Sequence, residues 1–277
     1  MTQRTITGGI FVSILIGAIL FSAYSFSLLF FGITIIGLWE FYILSIKTGH
    51  DPQKIMGILI GALIFTGNTL NFSSTFRQYT FIPLALLLPA IFSVFIIELY
   101  RKKDKPFGNI AFTFVGIIYI VLPFSLLSMI AFQDAWWIGS YIYNPHKIAG
   151  ILFILWASDT GAYLSGKAFG KHKLFERISP GKTWEGTIGG GILSLAIAYV
   201  VSLFYKELTV IDWMIISLII VVIGNFGDLV ESLFKRSIDA KDSGTILPGH
   251  GGILDRFDSL ILSTPFIFMY LIFTNKL

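Results

Sequence analysis

Nine apolar runs, most of them close to twenty residues long, follow one another through this chain. They fall near positions 6–22, 26–45, 55–70, 81–100, 108–131, 147–168, 187–205, 212–234 and 254–273. An α-helix of about 20 apolar residues crosses the hydrocarbon core of a bilayer. Within hydrocarbon every backbone polar group must find its partner inside the protein, and a helix achieves this by itself. The pattern predicts an all-α fold, a polytopic transmembrane helical bundle of about nine spans. The alternating strands of a membrane β-barrel are not seen in the sequence. Only 13% of the residues are charged, about half the share of a soluble domain. The third run is the weakest, because Asn68 and Asn71 interrupt its end. The first follows a short basic N-terminus, as a signal peptide does, and Ser22–Ser25 offers small residues for cleavage. Since a whole bundle follows, it is expected to stay as a span. No linker, low-complexity tract or repeat divides the chain. Residues 1–277 therefore read as a single integral membrane domain, with N-terminal spans over 1–135 and the chemistry-bearing spans and loops over 146–277.

Loop charge orients such a bundle. Arg77, Lys147, Lys206 and Lys276 fall on one side, and the other sixteen of the twenty Lys and Arg residues fall opposite. The crowded side is expected to be cytoplasmic, in a cell inner membrane. Trp136 and Trp137, in the outer loop 133–146, read as interfacial belt residues. With no cysteine in the chain, disulfides, thiolate metal sites and a Cys nucleophile are excluded.

The unusual polar residues all lie on the basic side. The densest stretch is 225–258, NFGDLVESLFKRSIDAKDSGTILPGHGGILDRFD. Charge within or beside a span is costly, so it marks a site by default. Asn225, Asp228, Glu231, Ser232, Lys235 and Arg236 recur at helical spacing and share one face. Asp255 and Asp258 stand three apart on the next helix. Carboxylates with few competing ligands suit Mg²⁺, whose shell is completed by water and substrate phosphates. Asp228, Asp255 and Asp258 are the candidates. Lys235, Arg236, Lys241 and Arg256 would neutralise phosphate charge during a phosphoryl or nucleotidyl transfer. Gly249, Gly251 and Gly252 around His250 allow close backbone approach. The alternative is internal salt bridging, which some of these charges are expected to do in any case.

Two further segments carry polar chemistry. Asp159 lies near the cytoplasmic end of the sixth span, and Tyr163, Gly166 and Lys167 continue its stripe. A helix-packing stripe is the competing reading. The loop 170–186 contains Gly181-Lys182-Thr183, similar to the tail of a phosphate-binding loop, but Glu176 stands where that motif needs glycine. Lys182 is either a point charge for phosphate at the start of the seventh span or part of a basic loop held to anionic headgroups. Gly186, Gly189, Gly190 and Gly191 mark that span as a packing or dimer helix.

Taken together, Ser232-Leu-Phe-Lys235-Arg236, Lys241-Asp242-Ser-Gly, Pro248-Gly-His-Gly-Gly252 and Ile-Leu-Asp255-Arg-Phe-Asp258 resemble the signature of the phosphatidate cytidylyltransferases, or CDP-diacylglycerol synthases. Ser158-Asp159-Thr-Gly-Ala-Tyr163 fits the same pattern, as does Gly170-Lys-His-Lys with Ser179-Pro-Gly-Lys182-Thr-Trp-Glu-Gly186. Trp39-Glu40-Phe41-Tyr42 is similar to an early element of the family. The specific matches cover roughly the C-terminal 130 residues. One departure is Gly181, where a second basic residue is expected before Lys182.

The resemblance implies that CTP and phosphatidic acid become CDP-diacylglycerol and pyrophosphate. It implies Mg²⁺, with a second cation as an option, among Asp228, Asp255 and Asp258, with Lys235 and Arg236 also catalytic. Substrate contacts fall to Asp159, Lys182, Lys241, Asp242, His250, Gly251, Gly252 and Arg256. The partners are CTP, phosphatidic acid and the bilayer, with a homodimer as the family's frequent assembly; no nucleic acid is expected. A CTP-dependent kinase of polyprenols or other lipids is the nearest rival, and a cytidylyltransferase for archaeal ether lipids is another. A cation transporter is the alternative from a different class, and cytoplasmic clustering of the carboxylates speaks against it. CDP-alcohol phosphotransferases are excluded, since their Asp-Gly-x-x-Ala-Arg motif is missing.

Overall fold

The fold was obtained as a computed structural model and is described for residues 2–73, 75–133, 142–244 and 251–277. Its long helices, in chain order, are α1 (Thr2–Phe21), α2 (Ala23–Ile46), α3 (Lys54–Asn71), α4 (Phe81–Arg101), α5 (Pro106–Ala131), α6 (Pro145–Phe169), α7 (Trp184–Phe204), α8 (Val210–Ser237) and α9 (Leu254–Phe273). α2 to α9 are each long and apolar enough to cross a membrane, and α1 adds a shorter apolar stretch, Thr7–Phe21. This is the polytopic helical bundle expected from the runs. α3 runs past Asn68 and ends at Asn71, the two asparagines that seemed to weaken it. Asn68 donates to the Ser125 carbonyl at 2.8 Å, so its amide is partnered by a neighbouring helix rather than breaking its own. Trp136, Trp137 and His250 lie outside the described residues.

The helix ends follow local sequence. Ser22 and Ser25 form a reciprocal cap on α2. Asn144 caps α6 ahead of Pro145, and Thr209 with Asp212 closes the start of α8. Along α4, Leu84, Leu88, Phe92, Ile96 and Leu99 are all exposed. An apolar stripe of that length is a lipid-facing surface. The chain is a multi-pass membrane protein.

The chain forms two compact units, one of residues 1–143 with 237–256, the other of 144–236 with 257–277. In the first, Phe26, Phe30, Tyr42, Phe65 and Phe124 are fully buried. A polar knot sits among the apolar helices. Buried Glu98 accepts from Gln53 (2.7 Å), Arg101 (2.8 Å) and Asn109 (2.8 Å). Arg101 also reaches the carboxylate of Asp51 at 2.8 Å. Two residues of the adjoining turn, Lys102 and Lys105, take positive φ of 50° and 53°.

In the second unit α7 lies on α6 at backbone-contact distance. A Cβ on Gly190 would come within 2.7 Å of the Ser158 carbonyl oxygen, and one on Gly186 within 2.9 Å of that of Ala162. The glycine stripe therefore packs α7 within its own chain. Away from it, buried Asp212 accepts from Tyr270 and Lys276, both at 2.6 Å.

Two small antiparallel hairpins were not foreseen from the apolar runs. β1 (Phe132–Gln133) pairs with β2 (Ile142–Tyr143), and β3 (Lys173–Phe175) with β4 (Ser179–Thr183). β4 contains Pro180 and Gly181, which are poor strand formers, and strands of two to five residues leave no readable alternation.

Candidate active site

Each unit holds a carboxylate cluster. In the second unit it begins at β4. Thr183, the last residue of that strand, accepts the Gly186 N–H at 3.1 Å and caps α7. This fixes Lys182, whose ammonium lies 2.9 Å from Asp228 Oδ2. Lys182 also donates to the carbonyl and the side-chain oxygen of Asn225, both at 3.2 Å. One turn on from Asp228, Ser232 donates to its Oδ1 at 3.1 Å. Glu231, only 2% exposed, pairs with Lys235 at 3.2 Å. The helical face read from the sequence thus exists, and Glu231 and Lys235 pair along it at i, i+4.

Asp258 meets this face from α9. Its charged neighbours are Asp228 and Asp159, and Glu231 is within hydrogen-bonding reach of it. Two features bring the helices together. α8 widens to a π-helical turn over Ile220–Gly224 immediately before Asn225, a local change often found at functional sites. Gly224 and Gly227 then let α8 ride against α9. A Cβ on Gly227 would sit 2.5 Å from the Asp258 carbonyl oxygen and 3.0 Å from the Ser259 Cα. Asp159, on α6, is exposed, while Asp228 and Asp258 are half-buried.

The cluster of the first unit surrounds Asp255, in the opening turn of α9. Its Oδ2 accepts from the Ser243 N–H (2.9 Å), the Ser243 hydroxyl (2.9 Å) and the Gly252 N–H (2.8 Å). Gly251 has φ +81°, and a Cβ there would fall 2.5 Å from Asp255 Oδ2. Both the backbone and the space require glycine. The other glycine expected at the site, Gly252, supplies one of the three donors.

Arg236, Lys241, Asp242 and Arg256 are exposed. Gly181 is open as well, with nothing within 4 Å of a Cβ built there. A basic side chain in its place would reach into open space rather than into the cluster.

Chemically, Asp159, Asp228, Glu231 and Asp258 are four carboxylates near two ammonium groups, Lys182 and Lys235. Such an excess of like charge in a half-buried place favours bound cations. Every donor is oxygen, which suits a hard divalent ion. Among the described residues no three acidic or imidazole groups form a ready-made cage. Sequence reasoning put Glu231 on the right face but not in the site. Its spacing from Asp228 and Lys235 was the available signal.

Comparison with known proteins agrees with this chemistry. Residues 2–274 match the cytidylyltransferase family. A phosphatidate cytidylyltransferase of Haemophilus influenzae is 32% identical over 297 aligned residues, covering 99% of both chains. One of Bacillus subtilis is 33% identical over 280, covering 98% of this chain and 97% of its own. One of Staphylococcus haemolyticus is 39% identical over 208, covering 67% and 80%. By a match that runs almost from end to end, the chain belongs to the cytidylyltransferase family.

Proposed function

We propose that the chain transfers the cytidylyl group of CTP to phosphatidic acid, giving CDP-diacylglycerol and pyrophosphate for phospholipid synthesis. The observation that supports it best is the half-buried Asp228–Asp258 pair with Lys182 held at its edge, in a family member matched over nearly its whole length.

The lipid phosphate is a monoester and is already anionic at neutral pH. Its oxygen forms a bond to the α-phosphorus of CTP while the bond from that phosphorus to the bridging oxygen breaks. Pyrophosphate leaves with the electron pair, and no strong general base is required. The demand on the protein is to bring two anions together and stabilise the leaving group. Lys182 can exchange its Asp228 partner for a phosphate oxygen without travelling far. Lys235, Arg236, Lys241 and Arg256 add positive charge, and Asp159, Asp242, His250, Gly251 and Gly252 complete the substrate contacts. Asp228 and Asp258 would hold Mg²⁺, which when bound screens phosphate charge; the family resemblance gives Asp255 the same role. The basic face, and with it the site, faces the cytoplasm, where CTP is met.

Asp228→Asn and Asp258→Asn test this reading in purified protein. Each should lower turnover by about a hundredfold or more while the protein remains helical and monodisperse. Near-normal turnover at saturating Mg²⁺ would remove that carboxylate from the role.

A further inference from the structure

Glu40 lies in α2, inside an apolar run, and is 3% exposed. A carboxylate at that depth is costly unless it does something specific. Its Oε2 accepts the Leu254 N–H at 3.1 Å and the Ser243 hydroxyl at 3.4 Å. Its other oxygen, Oε1, is buried with no hydrogen-bond partner among the described residues. The partners it does have are more than two hundred residues away in sequence, and both belong to the segment that surrounds Asp255.

The contacts form one relay. Glu40 meets Ser243 and the first N–H of α9, and Ser243 offers both its N–H and its hydroxyl to Asp255. Gly252 donates to the same Asp255 oxygen. The glycines leave the room that Glu40 and Ser243 occupy. A Cβ on Gly244 would come within 2.5 Å of Glu40 Oε1, and one on Gly252 within 2.5 Å of Oε2. Gly37, one turn before Glu40, lets Leu254 and Ile253 settle against α2, with a Cβ only 3.3 Å from the Leu254 side chain. A negative group at the start of a helix is also favoured by the helix dipole and by the unpaired N–H groups there.

We propose that Glu40 is a positioning residue for the transfer reaction: it holds Ser243 and the first turn of α9 so that Asp255 is presented in one fixed orientation. This rests on the cytidylyl-transfer reading above, in which Asp255 helps to hold the cation. Glu40 itself touches neither substrate nor cation. Groups that orient a metal-binding carboxylate are felt in metal affinity as well as in rate.

The test compares Glu40→Ala, Glu40→Gln and Ser243→Ala with the parent protein in the same micellar assay. Glu40→Ala should raise the half-saturating Mg²⁺ concentration about tenfold and lower kcat, with the KM for CTP at saturating Mg²⁺ nearly unchanged. Glu40→Gln keeps an acceptor for Leu254 and should recover most of the loss. Ser243→Ala breaks the relay without emptying the Glu40 position, so it serves even if Glu40→Ala folds poorly, and it should move Mg²⁺ dependence the same way. Hydrogen exchange on metal-free protein supplies a readout apart from activity. The Gly252 and Leu254 amides should exchange faster in Glu40→Ala while those of α6 and α7 do not. Unaltered Mg²⁺ dependence and unaltered exchange in folded Glu40→Ala and Ser243→Ala would overturn the proposal. An inactive parent protein would instead overturn the cytidylyl-transfer reading, and with it the proposal's basis.

Discussion

Gly227→Ala adds one methyl group where α8 meets α9, and its effect can be worked from the coordinates. The new Cβ would sit 2.5 Å from the Asp258 carbonyl oxygen and 3.0 Å from the Ser259 Cα. Both obstacles are backbone, so no side chain can turn aside. To bring the first contact out to 3.0 Å the helices must part by about half an ångström. Overpacking of this kind costs about 1–3 kcal/mol, offset in part by the roughly 1 kcal/mol that alanine gains over glycine in a helix. The net loss of stability should therefore be no more than about 2 kcal/mol. The parting instead falls on the distance between Asp228 and Asp258, which flank the contact. A misplacement of about 1 Å costs on the order of a hundredfold in rate, so about tenfold is expected for half of that. The assay is kcat at saturating CTP, phosphatidic acid and Mg²⁺, beside thermal unfolding in the same detergent. Gly191→Ala is the control, because its Cβ would meet Val221 at an ordinary 3.6 Å, and it should leave kcat intact. Parent-like kcat in folded Gly227→Ala would refute the argument that this close approach sets the carboxylate spacing.

Other expectations follow from particular contacts. Lys182→Ala should raise the KM for CTP or lower kcat even in neutral detergent; an effect seen only with anionic lipid would make Lys182 a headgroup anchor. Glu98→Ala takes one acceptor from each of Arg101, Gln53 and Asn109 around a buried hole, while Arg101 keeps Asp51; it should cost about 1–3 kcal/mol of stability, read as earlier thermal unfolding, with kcat per folded molecule retained. Burial pushes the Glu207 carboxyl up, but its hydrogen bond to His146 prevails and holds it below its ordinary value of 4.5. Its stabilising contribution is therefore complete above pH 4.5 and is lost as the pH falls below that value. Glu207→Gln should flatten the acid limb of the stability curve, and an unchanged limb would count against it. Cysteines placed at Glu176 and Lys206, in a chain with none of its own, should label from opposite faces of sealed vesicles; labelling of both from one face would overturn the proposed orientation.

The spans were legible because bilayer thickness imposes a length on every apolar run, and the polar face of α8 because a helix returns every third or fourth residue to one side. Asp228 and Asp258 could be chosen from charge in an apolar context. What brings them together could not. Gly227 looks like any glycine in a polar stretch until the neighbouring backbone is seen. The β3–β4 hairpin carrying Lys182 contains proline and glycine, so local preference argued against it. Glu40 was visible only as part of a resemblance. Its partners, Ser243 and Leu254, are set by long-range packing that no local pattern encodes.

The central claim is that the α-phosphorus of CTP, not the γ, is transferred to an anionic lipid. Purified protein in micelles with phosphatidic acid, Mg²⁺ and CTP labelled separately at the α and γ phosphates tests it directly. The account predicts α-label in the lipid fraction and γ-label in pyrophosphate, in equal amounts and only when phosphatidic acid is present. γ-Label in lipid with release of CDP would make the protein a lipid kinase and contradict the account.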